Sequence, residues 1–460
     1  MPFTSAAFFL FLIVSARLYR LVPAPRRAAY LAAISLLYYL SWQRGPALLL
    51  FGAAAVAHRA GLGLRIGTEG RRQARLAAAA VVLLGTLALF KALGAPSMSA
   101  VWRLAAPIGI SYYTFKLVGY LIDVHWEKME PEADFFSLLA YAAFFPQILG
   151  GPIQRPVDFR AQLAGPPPDA GDWIEGGRRI LFGLFQKIAV ADRLAPLVGQ
   201  VFARPEAYGA GAAWFAVFGY ALQLYADFSG ITDIALGAGR LFGVRGPENF
   251  ARPFLAANVQ EFWRRWHISL SSWFGDYVFL PLRMALRNWD RAGLALSVFA
   301  MMLGIGLWHG VRWNFAAFGV LNGLMLAASA LTLPARKKYF ARHPGWAAPR
   351  AVLAPATTTV LMSLAFVFVR ADGLAAAVAL LRRLFAPGAF PSFGLTAADG
   401  VTLGASLLLM ESLLAVRAGW RPSAAARLPG WIADLGYYAA LLFFLLVSRS
   451  APKQFIYFQF

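Results

Sequence analysis

The sequence Glu261-Phe262-Trp263-Arg264-Arg265-Trp266-His267-Ile268-Ser269-Leu270-Ser271-Ser272-Trp273-Phe274-Gly275-Asp276-Tyr277, with its continuation Gly306-Leu307-Trp308-His309-Gly310-Val311-Arg312-Trp313, frames a run of seventeen uncharged residues, Ala292 to Trp308. At 1.5 Å per residue that run makes about 25 Å of helix, close to the ~30 Å hydrocarbon core of a bilayer. A second uncharged run, Trp313 to Leu333, begins four residues after His309. The His309 imidazole is therefore held at or inside a membrane boundary. Desolvating an ionisable group there is costly, so its presence points to function.

The rest of the composition agrees. Of 460 residues, 59% are hydrophobic and 14% charged, more apolar surface than one soluble core can hide. This is the composition of an all-α polytopic membrane protein. The net charge of +21 would suggest nucleic acid in a soluble chain. Here the basic residues lie in short loops between apolar runs, where they set orientation, and no nucleic-acid partner is expected. The absence of cysteine excludes a thiolate nucleophile, Cys-ligated zinc, iron–sulfur chemistry and disulfides. No G-x-S-x-G, HExxH or Walker-type pattern occurs, and no metal site is expected. The first apolar run has no basic residue ahead of it and meets Arg17 directly after, which reads as a retained span.

Apolar runs near 3–16, 28–42, 46–57 and 76–93 are separated by loops of unequal charge. Arg17, Arg20, Arg26 and Arg27 fill one, and Arg59, Arg65, Arg71, Arg72 and Arg75 another. These basic loops should be cytoplasmic, with the N-terminus outside. The basic segment Pro334 to Arg350 is cytoplasmic on the same rule. Spans near 351–369, 399–416 and 431–447 follow, bringing the total to about eleven and the tail, Ser448 to Phe460, outside. No internal repeat or soluble linker divides residues 1–460, which read as one membrane domain.

From Ala105 the apolar segments become polar and irregular. Lys116 sits mid-run, and Phe145-Pro146-Gln147-Ile148-Leu149-Gly150-Gly151-Pro152-Ile153-Gln154-Arg155-Pro156 cannot be one regular helix. Irregular backbone at membrane depth survives only where protein or a water-filled cavity satisfies it, so a re-entrant or cavity-lining element is expected. Trp173 to Val201, with Arg178, Arg179, Lys187 and Arg193, has the amphipathic pattern of a cytoplasmic interfacial helix. Asp227 and Asp233 lie in the apolar run from Tyr220, six residues apart and so not facing one another on a straight helix. They are either paired inside the protein or part of a polar pocket.

On a continuous helix His267 would share a face with Trp263, Arg264, Ser271 and Phe274, a mixture that suits a cavity wall or an aromatic and arginine belt at the headgroups. Around His309, Gly304, Gly306 and Gly310 remove side chains and admit a close backbone or ligand. The alternative for His309 is a buried histidine bonded to a backbone carbonyl. A neutral imidazole at that depth is suited to act as general base towards a hydroxyl, and an alcohol so activated attacks an acyl thioester with no covalent enzyme intermediate.

These segments, in order Pro107 to Val124, Phe144 to Pro156, Trp173 to Ala195, Tyr220 to Val244, Asn249 to Leu282, Gly304 to Gly323 and the tail Phe455-Ile456-Tyr457-Phe458-Gln459-Phe460, resemble the membrane-bound O-acyltransferase family. The resemblance is to its bacterial branch, the one serving alginate O-acetylation and teichoic-acid D-alanylation. It implies re-entrant and interfacial helices in a ring around a thin centre, where a cytoplasmic acyl-CoA pocket meets an external funnel. By motif, His309 matches the family's catalytic histidine and His267 its second position. Arg178, Arg179, Arg264, Arg265, Trp266, Trp308, Asp227 and Gln154 become candidates for the acyl-CoA or substrate pocket. Two departures stand out: Gly275 occupies an expected arginine position, and Asn322 a position where relatives often carry histidine.

The expectation is an inner-membrane O-acetyltransferase with no permanently bound cofactor. It would move an acyl group from acyl-CoA, acetyl-CoA above all, to an exported polysaccharide. Transfer would be direct or through an extracytoplasmic acyltransferase partner. The aromatic tail would dock that partner through Phe455, Tyr457, Phe458 and Phe460, or relay the acyl group on Tyr457; a plain interfacial anchor is the alternative. Lipid or sterol O-acylation, and a transporter or export channel, are the competing functions.

Overall fold

The computed structural model describes residues 1–42, 45–93, 107–391, 396–419 and 430–448. The tail from 449 to 460, with Phe455, Tyr457, Phe458 and Phe460, lies outside the described residues. Among the described residues the structure is helical, and the sole β feature is an isolated antiparallel bridge between Phe250 and Trp266. Among the described residues six helices are long and apolar enough to cross a membrane: Gly45–Gly63, Glu69–Ala92, Arg287–His309, Trp313–Arg342, Pro344–Arg370 and Ala397–Arg417. Ala6–Tyr19 and Asp434–Val447 are shorter apolar helices. The chain is a multi-pass membrane protein. The count falls below the eleven crossings expected from sequence because other helices are short or polar. Ala210–Arg240 is 31 residues long, but Gln223, Asp227, Ser229, Thr232 and Asp233 interrupt its apolar character and are all buried.

The chain divides into two compact units, Met1–Ile180 with Ile231–Glu248, and Leu181–Gly230 with the described part of Asn249–Ile456. In the first, an aromatic cluster ties distant segments together: the Phe145 ring lies 5.3 Å from Tyr38, 5.3 Å from Phe11 and 5.6 Å from Phe242. The stretch read as irregular is so. Helix Phe135–Ala143 breaks at Phe144, one short turn spans Phe145–Ile148, and regular helix resumes at Pro156–Leu163. Protein groups bond the polar atoms in and beside this stretch, as its burial demands. The Phe145 N–H donates to Ser35 Oγ at 3.1 Å. Lys116 Nζ donates to Tyr141 O (3.1 Å) and Gln147 Oε1 (2.9 Å), and Gln147 Nε2 to Gln154 Oε1 (2.8 Å). The loop after Ile110–His125 is acidic and lies on the basic segment that carries Arg59 to Arg75: Arg65 meets Glu130 at 2.6 Å and Arg72 meets Glu127 at 3.0 Å.

In the second unit the segment read as one interfacial helix contains a π-helical turn. Gln186–Ala191 joins Ala170–Phe185 to Asp192–Ala203. The extra residue turns Lys187 inward, where it is 1% exposed, rather than onto a basic face. The sequence from Pro334 differs from expectation as well, because helix Trp313–Arg342 continues through Pro334 instead of ending there. Its 30 residues make about 45 Å of helix, so the turns carrying Arg336, Lys337, Lys338 and Arg342 project beyond a ~30 Å core.

Helices Asp290–His309 and Trp313–Arg342 form a tight hairpin because both carry glycine where they cross. A Cβ at Gly306 would lie 2.5 Å from Phe315 O and 2.8 Å from Gly319 Cα; one at Gly319 would lie 2.9 Å from Leu303 Cα. The glycines near His309 thus admit a neighbouring backbone, and the ring of Phe315 fills the space beside Gly310. Gly306→Val should force the two helices apart at a cost on the order of 1–3 kcal/mol. A lower thermal midpoint of the detergent-solubilised protein is the expected result, with Gly275→Ala, which meets nothing within 4 Å, as the unchanged control.

Candidate active site

The sequence motif around His267 does not form one helix. Helix Val259–Arg265 starts from Asn258, whose Oδ1 accepts the Glu261 N–H at 3.0 Å, and ends at Trp266. A second helix runs Ile268–Phe274. The break has a tertiary cause, because residues 249–251 pair with it. The Ala251 N–H donates to Arg265 O, and the Ile268 N–H to Asn249 O, each at 3.0 Å. His267 makes the corner in the left-handed region, at φ 45° and ψ 52°. Histidine is among the non-glycine residues enriched there. The helical face expected for His267 is therefore absent, and its surroundings come from other segments.

The His267 side chain is 1% exposed. Its Nδ1 lies 3.2 Å from Asn249 Oδ1, which also accepts from Ser269 N–H at 3.1 Å and Ser269 Oγ at 3.0 Å. Phe228 stands edge-on to the imidazole, with centroids 4.6 Å apart. Burial foremost, and then the neighbouring His309, hold the His267 pKa well below the ordinary imidazole value, so the ring is neutral at physiological pH.

His309 is the last residue of Asp290–His309 and is 7% exposed. Its ring is stacked with Phe315 at 6.3 Å and edge-on to Phe318 at 5.9 Å. The Trp308 indole adjoins both imidazoles, 4.8 Å from His309 and 5.9 Å from His267 by ring centroids. The wall behind is fixed by polar bonds. Trp263 Nε1 donates to Asn322 Oδ1 at 3.3 Å, and Asn322 Nδ2 to Phe318 O at 2.9 Å. Trp266 is stacked against Phe262 at 5.6 Å and lies 4.8 Å from Phe366. Two buried imidazoles in an aromatic surround can exchange protons with a substrate while excluding bulk water.

The other sequence candidates separate. Trp266 and Trp308 belong to this aromatic surround. Asp227 accepts from Lys187 Nζ at 2.6 Å, and Asp192 lies 2.9 Å from the same ammonium, all three nearly unexposed. Lys187 was not anticipated as that partner. In the first unit, Asp233 and Glu248 grip Arg179, at 2.8 and 2.5 Å. Gln154 is part of the Lys116 network. Arg265 is paired with Glu261, whereas Arg264 is exposed. Arg178 is partly buried. Among the described residues no His, Asp and Glu gather three together as a metal site. Sequence reading missed Asn249, Phe228 and Phe318. They lie 18, 39 and 51 positions from His267, and no spacing rule reaches that far.

Comparison with known proteins fits this geometry. The pattern of MBOAT, the membrane-bound O-acyltransferase family, matches residues 131–363, which contain both histidines. Probable alginate O-acetylase AlgI of Azotobacter vinelandii is 34% identical over 90% of this chain and 84% of its own. The peptidoglycan O-acetyltransferase of Helicobacter pylori is 31% identical over 61% of this chain and 57% of its own. The teichoic acid D-alanyltransferase of Bacillus subtilis is 30% identical over 50% and 61%. An acyltransferase assignment removes the transporter reading. With its paired buried imidazoles inside the matched region, this chain belongs to the membrane-bound O-acyltransferase family.

Proposed function

We propose that the protein is a bacterial inner-membrane O-acetyltransferase that moves acetyl groups from cytoplasmic acetyl-CoA to hydroxyls of an exported polysaccharide. The observation that carries this is the pair of buried imidazoles flanking Trp308, in a chain whose relatives are named as O-acetylases and O-acetyltransferases. His309 acts as general base. It takes the proton from a hydroxyl, and the oxygen attacks the thioester carbonyl carbon. The C–S bond then breaks and the thiolate leaves, recovering the proton from the imidazolium. His267 assists at the same centre.

The finer architecture is part of this proposal: about eleven crossings and a thin centre where donor and acceptor approach from opposite faces. Arg264, exposed three residues before His267, is the arginine suited to CoA phosphates, since Arg265 beside it already holds a carboxylate. An extracytoplasmic acyltransferase partner completes the transfer, with the aromatic tail as its docking segment.

His309→Ala should leave a membrane-inserted protein whose acetyl transfer falls about 10²- to 10⁴-fold. Polymer acetylation in cells carrying only this variant measures it, and near-normal levels would remove His309 from the reaction. A milder loss is expected for His267→Ala. Acetate found on a membrane lipid instead of a polymer would favour lipid O-acylation. Deleting residues 455–460 should abolish polymer acetylation and partner co-purification while acetyl-CoA binding persists. Unchanged acetylation with a partner still co-purifying would return the tail to an interfacial anchor.

Gly275 supplies a further check. A Cβ there meets nothing within 4 Å, so Gly275→Arg, which restores the residue expected at this position, should fold with stability changed by no more than about 0.5 kcal/mol. Altered affinity for acetyl-CoA in this variant, read by isothermal calorimetry, would link the position to the donor.

A further inference from the structure

Asn249 is fully buried, and its Oδ1 sits at the centre of three contacts, from His267 Nδ1, Ser269 N–H and Ser269 Oγ. The two ends of an asparagine amide look alike, and which is oxygen has to be argued from its neighbours. Here a backbone group settles it. The Ser269 N–H can only donate, and as the second residue of helix Ile268–Phe274 it has no carbonyl of its own helix to receive it. The atom 3.1 Å away must therefore be the oxygen. An amide NH₂ in its place would set two donors face to face in a buried site.

The consequence passes to the histidine. A carbonyl oxygen only accepts, so the 3.2 Å contact to His267 Nδ1 is a hydrogen bond only if Nδ1 carries the proton. In a neutral imidazole with Nδ1–H, the other nitrogen is bare. The ring's rotation is held as well. The backbone at His267 is fixed by the pairing of 249–251 with 265–268, and Phe228 closes one flank edge-on at 4.6 Å.

We infer that Asn249 is a positioning residue that fixes the tautomer of His267, so that Nε2 accepts a hydrogen bond or a proton and does not donate one. This rests on His267 taking part in acyl transfer. It assigns His267 the work of accepting from a hydroxyl or from an imidazolium, and it takes the neutral ring out of any role as donor to the thioester oxygen. The residue acts through His267 and touches no reacting atom itself.

Nitrogen-15 NMR of the full-length protein in lipid bilayers, labelled in histidine and in the asparagine side chain, tests this without relying on a variant. The chain has five histidines, and His267 is recognised by its proximity to the Asn249 amide. The expected spectrum at pH 8 has a protonated Nδ1 and a bare Nε2. A protonated Nε2 with a bare Nδ1 would overturn the inference. Asn249→Leu removes the acceptor and should abolish the Nδ1–H preference. It should also lower kcat about 10- to 100-fold, as losing the partner that orients a functional histidine does, with the KM for acetyl-CoA within about twofold. Asn249→Asp keeps the acceptor and should keep the tautomer. Should Asn249→Leu fail to fold, the wild-type spectrum and the aspartate variant still decide. A tautomer that switches in Asn249→Leu while kcat stays unchanged would overturn the positioning role through the catalytic reading of His267, a failure distinct from a wrong tautomer in the wild type.

Discussion

Within a bilayer a polar group has no water to bond to, and each one left unsatisfied costs about as much as several ordinary contacts supply. That constraint accounts for most of the specific structure outside the simple spans. The irregular chain from Phe144 to Arg155 is buried and so must find partners in protein: Ser35, Gln147 and Gln154 provide some of them, together with Lys116 and the Tyr141 hydroxyl, which donates to Gln154 O at 2.9 Å. The same rule shapes the second unit. There the Lys187 ammonium is held between Asp192 and Asp227, and a π-helical turn is what brings the lysine round to them. Removing one member of such a buried set leaves an uncompensated charge, which is why these ionic residues belong to the frame.

The histidines obey the constraint differently. Each sits where regular helix stops, His309 at the last position of its helix and His267 at a left-handed corner between two short ones. No helical turn of its own follows either residue in the same direction, so the space ahead of each ring is filled by other segments. Here that packing is aromatic, with Trp308 shared by both rings. The glycine contact between the helices of the hairpin places Phe315 and Phe318 against His309. Rigidity at the site thus descends from a close helix crossing several residues away.

What could be read from the sequence followed range. Apolar runs and charged loops are local signals, and the helices Ala6–Tyr19, Gly45–Gly63, Asp290–His309 and Ala397–Arg417 lie close to where those signals put them. Pro146 and the paired Gly150 and Gly151 announced irregular backbone correctly. The pairing of buried carboxylates was legible as a need, because an apolar run must neutralise Asp227 and Asp233, yet Lys187 and Arg179 as their partners depend on tertiary contact over 40 and 54 positions. Pro334 misled, since a proline in a long helix costs one hydrogen bond and that loss is bearable where the helix already meets headgroups. The break at His267 was invisible for a stronger reason. Local spacing from Val259 to Phe274 favours helix throughout, and only the strand-like pairing with Phe250 overrides it.

The surplus of basic residues sorts by the same logic into two groups. Arg179, Arg193, Arg240, Arg245 and Arg312 each meet a carboxylate within 3.1 Å, and so spend their charge on holding segments together. Arg336 bonds only to Ser329 and Thr332 among the described residues, one to two turns earlier on its own helix, and Lys337, Lys338 and Arg342 follow it on the projecting turns. With 43 basic against 22 acidic side chains, a remainder of this kind is unavoidable, and its position at a helix end beyond the apolar run makes it available to headgroups and anionic solutes. Partnered arginines stabilise the fold and cannot also serve as a mobile anion clamp without breaking a pair. Arg264, within the histidine motif, stays exposed, and on the proposed reading it is the side chain left to meet the phosphates of the donor.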